Sequence, residues 1–449
     1  MEFQDIIRDA GAAFAKKNYS RVVLVGDYDT DGLASVSTMQ QACDNAGIAY
    51  ASVIIPQLDK TTKTILAQHE GDALIFLDVG ASALDQLTDI ERDVYVLDHH
   101  EPQGETTAVH MNPCLHDISS SDISSAGIAY FFALGMNKEN KKLAPLGLLG
   151  ALGDTQERGG LSDLNKVILQ HSVLQGHIKP SERLRLFGLH TRTLLKVLTY
   201  SSDLSIPGVT NNYHGAKKFL QSLRIRWSID GTQRKYVDLD EEERANLHDA
   251  IVDRKGDASD DELYMTVYHW TAMPEMLQDV KELATMINAC GRLGEYTIAF
   301  ESLKGEKAAQ EELKTVLSRY KQLLQSTFAN LQEMNADHEE CFQGDKYILF
   351  DLDDKLPPSM AGIIASMLAR KKHYPQGTII GVLTTFAKDQ EKLSLRVSRD
   401  VQGVALQKML ADTFPDEDIS TGGHDNAAGA FFPAKKHDDV VERLLRALE

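Results

Sequence analysis

The chain of 449 residues sets 47 Lys and Arg against 66 Asp and Glu, a net charge of −19, so indiscriminate binding to duplex DNA or an anionic membrane is disfavoured. Its hydrophobic share of 43% excludes wholesale disorder and supplies enough apolar surface for two or three domains of about 100–200 residues each. The four cysteines, Cys43, Cys114, Cys290 and Cys341, form no CxxC or CxxH pair, which excludes a disulfide framework and a zinc ribbon.

The first segment, MEFQDIIRDAGAAF, is acidic where a signal peptide needs a basic region, and the longest apolar runs are too short to span a bilayer. A cytoplasmic protein with no membrane partner is expected. From there to about residue 155, the runs RVVLVG, ASVII, ALIFLDVG and DVYVLDHH alternate with helical patterns such as ASVSTMQQACDNAG. Short apolar strands spaced by helix-length segments predict βαβ units and a parallel sheet. Ligands of such sheets bind beyond the carboxyl ends of the strands.

Beyond Asp154 the pattern turns helical, and from 224 to 276 it is charge-dense and loop-rich (DLDEEERANLHD, DRKGDASDDEL), which predicts a small inserted module. Residues 306–335 carry Leu313, Leu317, Tyr320, Leu324, Phe328 and Leu331 with no Gly or Pro, the pattern of a long connecting helix. A second α/β domain follows, with strands at KYILFDLD, TIIGVLTTF and KLSLRVS and helices at MAGIIASMLARK and VALQKMLADTF. The expected organisation is a first domain over 1–223 completed by 277–305, the module at 224–276, the connecting helix at 306–340 and the second domain at 341–449.

Four acidic clusters sit at the expected strand ends. In GDYDTDG, Asp27, Asp29 and Asp31 alternate immediately after a strand, and three carboxylates so close repel one another unless cations are bound. The segment is either a solvated acidic turn or a metal site; an EF-hand loop needs Glu six residues after the Gly, where Thr38 stands. Asp78 ends the strand of ALIFLDVG and is either a turn former or a ligand. VYVLDHHEP runs into Asp98, His99 and His100, where one imidazole can ligate a metal, the other can meet a phosphate, and Asp98 can orient a ring. Asp154 follows the Gly-rich LLGALGD and is a helix cap or a fourth ligand. A mostly carboxylate set with one or two imidazoles suits Mn²⁺ or Mg²⁺ better than zinc. It can hold two ions about 4 Å apart, the arrangement that activates water for phosphoryl displacement.

The order GDYDTDG, LDVG, LDHH, GALGD resembles motifs I to IV of the DHH phosphoesterase superfamily. TMINACGRLG, with Asn288, Gly291 and Arg292, resembles the NAAGRL signature of RecJ-type nucleases, and TGGHDNAAGAFF resembles the GGGHxxAAG signature of the DHHA1 domain. The resemblance implies an α/β fold in which a parallel-sheet DHH catalytic domain is joined by a long helix to a smaller α/β DHHA1 domain. It implies that Asp29 and Asp27 hold one ion, that Asp31, His99 and Asp154 hold the other, that Asp78 bridges them, and that His100 faces the scissile phosphate. It departs at Val25, where many relatives carry His. On the second domain it implies substrate binding by Arg396, Ser398, Arg399, Gly422, Gly423 and His424, joined by Asn288 and Arg292 of the NACGR segment, with Arg292 or His100 neutralising the charge that develops in the reaction.

The length, the NACGR segment, the long helix and the insertion all favour the RecJ branch, and the insertion after motif IV most resembles archaeal RecJ-like nucleases, some of which associate with GINS of the replisome. The implied activity is a single-strand-specific exonuclease acting on DNA or RNA with two divalent cations, Mn²⁺ preferred and Mg²⁺ possible. A nano-RNase, a cyclic-dinucleotide phosphodiesterase and a replisome scaffold with little catalysis are the alternatives. Complete motifs I to IV argue against the scaffold.

Overall fold

A computed structural model of the chain describes residues 2–56, 58, 60–201, 203–256, 258–334, 340–370, 374–387, 389–399, 404–416 and 418–449. Residues 335–339 at the end of the expected connecting segment, and Lys371 at the end of the expected MAGIIASMLARK helix, lie outside them. The chain forms two compact units, residues 1–291 with 295–314 and residues 292–294 with 315–449.

In the first unit, β1 (Arg21–Gly26), β2 (Ala49–Ile54), β3 (Ala73–Leu77), β4 (Asp93–Leu97) and β5 (Val109–Met111) form an all-parallel sheet in the order β2-β1-β3-β4-β5. The four strands expected from the sequence are all present; the short fifth, β5, carried no apolar run to announce it. Strands β1 and β3 are buried along nearly their whole length, as continuous Val, Leu, Ile and Phe runs require of a sheet covered on both faces. Helices α1 (Phe3–Lys16), α2 (Thr30–Ala46), α3 (Lys60–Ala67), α4 (Ser125–Met136), α5 (Ala144–Gly153) and α6 (Asp163–Leu174) complete the layers. Helices α4 and α5 are apolar on almost every side and accordingly buried. In this strand order the chain reverses direction across the sheet between β1 and β3, the switch point at which doubly wound folds bind ligands.

The chain then builds a small module. Strand β6 (Ile178–Leu184) pairs antiparallel with β9 (Tyr264–Trp270), and between them lie α7 (Leu194–Thr199), α8 (Tyr213–Ser222), β7 (Ser228–Ile229), β8 (Thr232–Gln233), α9 (Glu241–Lys255) and α10 (Asp260–Leu263). One apolar cluster from Leu184 to Leu263 packs it, so the packed body takes in residues well before 224. The stretch EEERANLHDAIVDRK is a regular helix, α9, where the charge density suggested loops. A reciprocal capping box of Asp240 and Glu243 starts it, acids fill its first turn and Arg254 and Lys255 its last, so its charges favour the helix. Helices α11 (Val280–Leu293), α12 (Tyr296–Lys304) and α13 (Lys307–Glu333) follow, and α13 carries the chain into the second unit as the expected long connecting helix.

The second unit is a mixed sheet of β10 (Cys341–Gln343), β11 (Tyr347–Asp351), β12 (Ile379–Ala387), β13 (Gln390–Val397), β14 (Ser420–His424) and β15 (Ala427–Pro433), ordered β10-β11-β12-β13-β15-β14. Helix α14 (Ala361–Ala369) lies against β12 and β13, while α15 (Leu406–Thr413) and α16 (His437–Leu448) join the apolar cluster containing Leu393, Leu395, Ala428, Ala430 and Phe432. The hairpin of β14 and β15 is the TGGHDNAAGAFF segment. Among the described residues, no helix is long and apolar enough to cross a membrane.

The first unit's sheet is locked to its helices by an aromatic cluster: Phe14 of α1 meets Tyr95 of β4 at 5.1 Å and Phe132 of α4 at 5.4 Å between ring centroids, both edge-on. Phe132 is fully buried, so Phe132→Ala should destabilise this unit by about 3–5 kcal/mol. Chemical denaturation followed by near-ultraviolet circular dichroism measures it, and a loss below about 1 kcal/mol would show that the cluster is not part of the load-sharing core.

Candidate metal centre

The acidic residues singled out in the first 154 positions converge at the carboxyl ends of β1, β3 and β4. Asp27, Asp29 and Asp78 each present an oxygen within 4.8 Å of the others; so do Asp31, His99 and Asp154, and Asp78, His99 and His100 present atoms equally close. Asp78 belongs to the group with Asp27 and Asp29 and to the group with His99 and His100, and His99 in turn links it to the group with Asp31 and Asp154. His99 Nε2 stands 3.3 Å from Asp154 Oδ2, 3.6 Å from Asp78 Oδ1 and 4.0 Å from Asp31 Oδ2. Val25, at the position where many relatives carry His, is fully buried in β1 and offers no donor.

Local structure explains each placement. Asp29 is the N-cap of α2, its Oδ1 accepting from the amides of Asp31 and Gly32, which leaves its second oxygen for another partner. Asp31, with no solvent exposure, lies at the start of α4: Oδ2 accepts from the Ser125 amide at 2.6 Å and Oδ1 from the Ala126 amide at 2.9 Å. Asp78 adopts φ +63°, a region costly for a residue with a Cβ, at the turn that follows β3. The His99 ring donates its Nδ1 proton to the carbonyl of Ser120 at 2.6 Å, which fixes the ring's orientation and turns Nε2 toward the carboxylates.

Glycines make the close approaches possible. A Cβ at Gly150 would stand 2.1 Å from Asp31 Oδ1, so the GALGD segment can hold only glycine where α5 passes the site. A Cβ at Gly291 would stand 1.6 Å from the Tyr28 carbonyl, and the Thr30 hydroxyl donates to the Ala284 carbonyl at 2.8 Å. Thus α11 buttresses the turn that carries Asp27 and Asp29, which gives the NACGR glycine a physical role the sequence alone did not show.

The electrostatics call for a cation. Burial, followed by repulsion from Asp31, Asp29 and Asp154, holds the Asp78 carboxyl well above its ordinary value. Burial and then Asp31, Asp29 and Asp27 do the same to Asp154, and burial raises Asp31. Asp98 is different. Its burial is outweighed by a hydrogen bond from His100 and another from the Ala81 amide, which bring it down to about 2. The same contact, Nδ1 to Oδ1 at 2.8 Å, lifts His100 to about 9 against the opposing effect of burial. A charged His100 therefore stands half exposed beside the carboxylate set, able to donate from Nε2 to an anion. Carboxylate oxygens with one imidazole nitrogen are a donor set fitted to hard or borderline divalent cations.

Of the other expected site residues, Asn288 is half-buried on α11, while Arg292, Arg396, Ser398, Arg399, Gly422, Gly423 and His424 belong to the second unit. There Arg292 Nη1 donates to the Ser359 carbonyl at 2.8 Å. Register puts Arg396, Ala427 and His424 in one cross-strand row, Ser394, Gly429 and Gly422 in the next, and Lys392, Phe431 and Ser420 in the third, all on one face. Gly422 and Gly429 leave bare backbone between a row holding Arg396 and His424 and a row holding Lys392 and Phe431, whose ammonium and ring lie 5.1 Å apart. Ser398 is fully buried and its hydroxyl donates to the Ala369 carbonyl, so it ties strand to helix and presents nothing at the surface. Arg399 is exposed, its guanidinium donating to the Tyr374 carbonyl. Gly423, at φ +129°, shapes the hairpin.

Comparison with known proteins agrees with this arrangement. The model of the DHH family, N-terminal domain, matches residues 21–151, that of the DHH-CID domain residues 186–259, and that of the DHHA1 domain residues 344–449. The chain belongs to the DHH/DHHA1 phosphoesterase family. An uncharacterized protein of Methanocaldococcus jannaschii is 23% identical over 437 residues, 95% of this chain and 93% of its own. Among solved structures, exonuclease RecJ bound to manganese superposes with a TM-score of 0.56 at 16% identity, covering 98% of this chain and 94% of that one. CDC45 from Entamoeba histolytica gives 0.62 at 13% identity, covering 99% and 98%. At such identities these two likenesses are of fold.

In this DHH/DHHA1 chain the residue that sequence reading missed is Ser125. Its amide holds Asp31, its hydroxyl donates to Asp78 Oδ1 at 2.9 Å, and the same hydroxyl accepts from the His99 amide at 3.2 Å. The signal was the Ser-Ser start of α4, where Ser124 is the N-cap. Ser125→Ala should weaken Mn²⁺ binding about 10–100-fold while the fold persists. Calorimetric titration measures it, and wild-type affinity would remove Ser125 from the centre's support.

Because Asp31, Asp78 and Asp154 have raised values in the folded protein, their contribution to metal-free stability is fully present in acid and is lost as pH rises through those values. A divalent cation takes the place of the protons. Mn²⁺ should therefore raise the melting temperature more at about pH 8 than at about pH 5.5. An equal or smaller gain at the higher pH would show that these carboxylates are not where the ion binds.

Proposed function

We propose that this protein is a metal-dependent phosphodiesterase of RecJ type, a single-strand-specific exonuclease that removes mononucleotides from DNA or RNA in replication or repair. The observation that carries the reading is the crowding of ligand groups at the β1/β3 switch point, where Asp78 shares one group with Asp27 and Asp29 and stands 3.6 Å from His99 of the group with Asp31 and Asp154. Asp27 and Asp29 would hold one ion, Asp31, His99 and Asp154 the other, with Asp78 common to both. The mixture of carboxylates and imidazole favours Mn²⁺, with Mg²⁺ a substitute. Two such ions, when bound, activate a water and clamp the oxygens of an in-line displacement.

The chain's own groups do the rest. Ser120 and Ser125 orient His99 and Asp78, so the ligands are set before any ion arrives. His100, kept charged by Asp98, donates to a non-bridging phosphate oxygen and offsets the charge that develops there. In the second unit, the bare strip at Gly422 and Gly429 admits a sugar-phosphate backbone, with Arg396 and His424 as donors along its edge. The complete ligand set speaks against a scaffold that has given up catalysis.

The full-length protein, given a single strand labelled at either end with Mn²⁺, Mg²⁺ or EDTA, should release labelled mononucleotide from one end only, and only with metal. Asp78→Ala should lower the rate by well over about 10³-fold without unfolding the protein. Near-normal turnover by a folded Asp78→Ala protein in Mn²⁺ would overturn the shared-ligand assignment. Consumption of only di- to pentanucleotides would move the substrate to short oligoribonucleotides.

A further inference from the structure

The module between β6 and β9 is electrically divided. From Asp203 to Asp230 the sequence contains no acidic residue between those two, in a chain whose acids outnumber its bases by 19. The acids of the module gather after Asp230, in α9 and α10, where Arg234 is held by Glu243 at 2.5 Å. The acid-free segment carries Lys217, Lys218, Arg224 and Arg226, and Lys196 precedes it.

The fold places these cations outward. Helix α8 buries Ala216, Phe219 and Leu220 in the module's core and leaves Lys218 exposed, while Arg224 and Arg226 are exposed in the turn that follows. Helix α7 buries Leu194, Leu195, Val197 and Leu198 and exposes Lys196, and Tyr200, the residue that ends it, is exposed as well. The Asn211 amide donates to the Thr199 carbonyl, which sets the end of α7 beside the start of α8. Two large aromatic side chains are exposed on the segments that this bond joins, Tyr200 at 59% exposure and Tyr213 at 48%, with His214 next to Tyr213. Lys217 lies over the Trp227 ring at 4.9 Å. Among the described residues, Lys196, Lys218, Arg224 and Arg226 form no ion pair.

Exposed rings interleaved with unneutralised cations are what a single strand needs: phosphates meet the charges and unpaired bases stack on the aromatic faces. A duplex would offer phosphates but no bases to Tyr200 and Tyr213, and the acids elsewhere in the chain would repel it outside this strip. We propose that the α7–α8 face, with Lys196, Tyr200, Tyr213, Lys218, Arg224 and Arg226, is an auxiliary binding surface for single-stranded nucleic acid, apart from the centre that cleaves it. The surface holds the body of a long strand while its end is hydrolysed. It rests on the single-strand reading for its choice of ligand, and it makes long strands better substrates than short ones.

The test is the full-length Lys218→Glu, Arg224→Glu, Arg226→Glu protein, with the Gln triple variant as a milder companion if the Glu variant does not fold. Binding of a labelled oligothymidylate of about thirty nucleotides is read by fluorescence anisotropy in EDTA, so that nothing is cleaved. The Glu variant should bind about tenfold or more weakly, and its salt dependence should flatten by roughly two units of slope, about 0.7 for each phosphate that the removed cations had neutralised. Tyr213→Ala should weaken binding at unchanged salt slope, while Mn²⁺-dependent turnover of a dinucleotide stays at the wild-type level in all variants. Unchanged strand affinity and slope would overturn the proposal, even if the variant no longer bound an acidic protein partner. Equal loss on the dinucleotide would overturn it too, by placing the effect at the cleavage centre. If the wild-type protein binds the strand through this face yet never hydrolyses it, the exonuclease reading falls and the surface stands.

Discussion

Asp31, Asp78 and Asp154 repel one another in a site that leaves the first two almost no solvent, and much of the first unit is arranged to bear that repulsion. Water screens exposed charges at little cost, but buried ones need fixed partners. Amides at the start of α4 take up Asp31, the Ser125 hydroxyl takes up Asp78, and His99 turns its one free nitrogen toward all three. These partners supply mostly dipoles. They leave a deficit of positive charge that a divalent cation fills, so the folded protein is unfinished without one in an electrostatic sense.

The sheet order explains why those groups can meet. A parallel sheet with β1 beside β3 sends two successive crossovers to opposite faces, which opens a gap at the strand ends that no connection crosses. Asp27, Asp29 and Asp31 enter the gap from the turn after β1, Asp78 from the turn after β3 and the His pair from that after β4. Asp154 comes from the end of α5, and only because Gly150 lets that helix lie against Asp31. The catalytic geometry thus depends on strand order for its plan and on the absence of one methyl group for its fit.

The sheet and the centre were legible in the sequence for a simple reason: a buried parallel strand is an unbroken apolar run, and a carboxylate directly after one has nowhere to go but the strand end. What escaped was carried by atoms that every residue shares or by side chains too common to stand out. The Ser125 and Ala126 amides hold Asp31, and no pattern of letters marks an amide. Ser398, expected at the substrate from the family resemblance, is buried, because the register that directs Arg396 toward α14 drives the next polar residue under that helix. The α9 sequence looked unstructured because charge was weighed without its order, whereas acids first and bases last is the order a helix dipole favours.

Charge order also bears on how an acidic protein can handle a polyanion. The net charge of −19 describes a distant view, and at a Debye length of about 8 Å a phosphate responds only to the groups near it. The carboxylates of the centre repel a strand until cations cover them, and the acids of α9 and α10 repel it throughout. The places left are those where bases gather: the α7–α8 face of the module, and the Arg396 and Lys392 rows on the second unit's sheet. An overall negative charge then sharpens selectivity, since a ligand that cannot use those places gains nothing elsewhere on the surface. A flexible single strand can bend to fit such a place closely, and a stiff duplex, with a persistence length of about 150 base pairs, cannot.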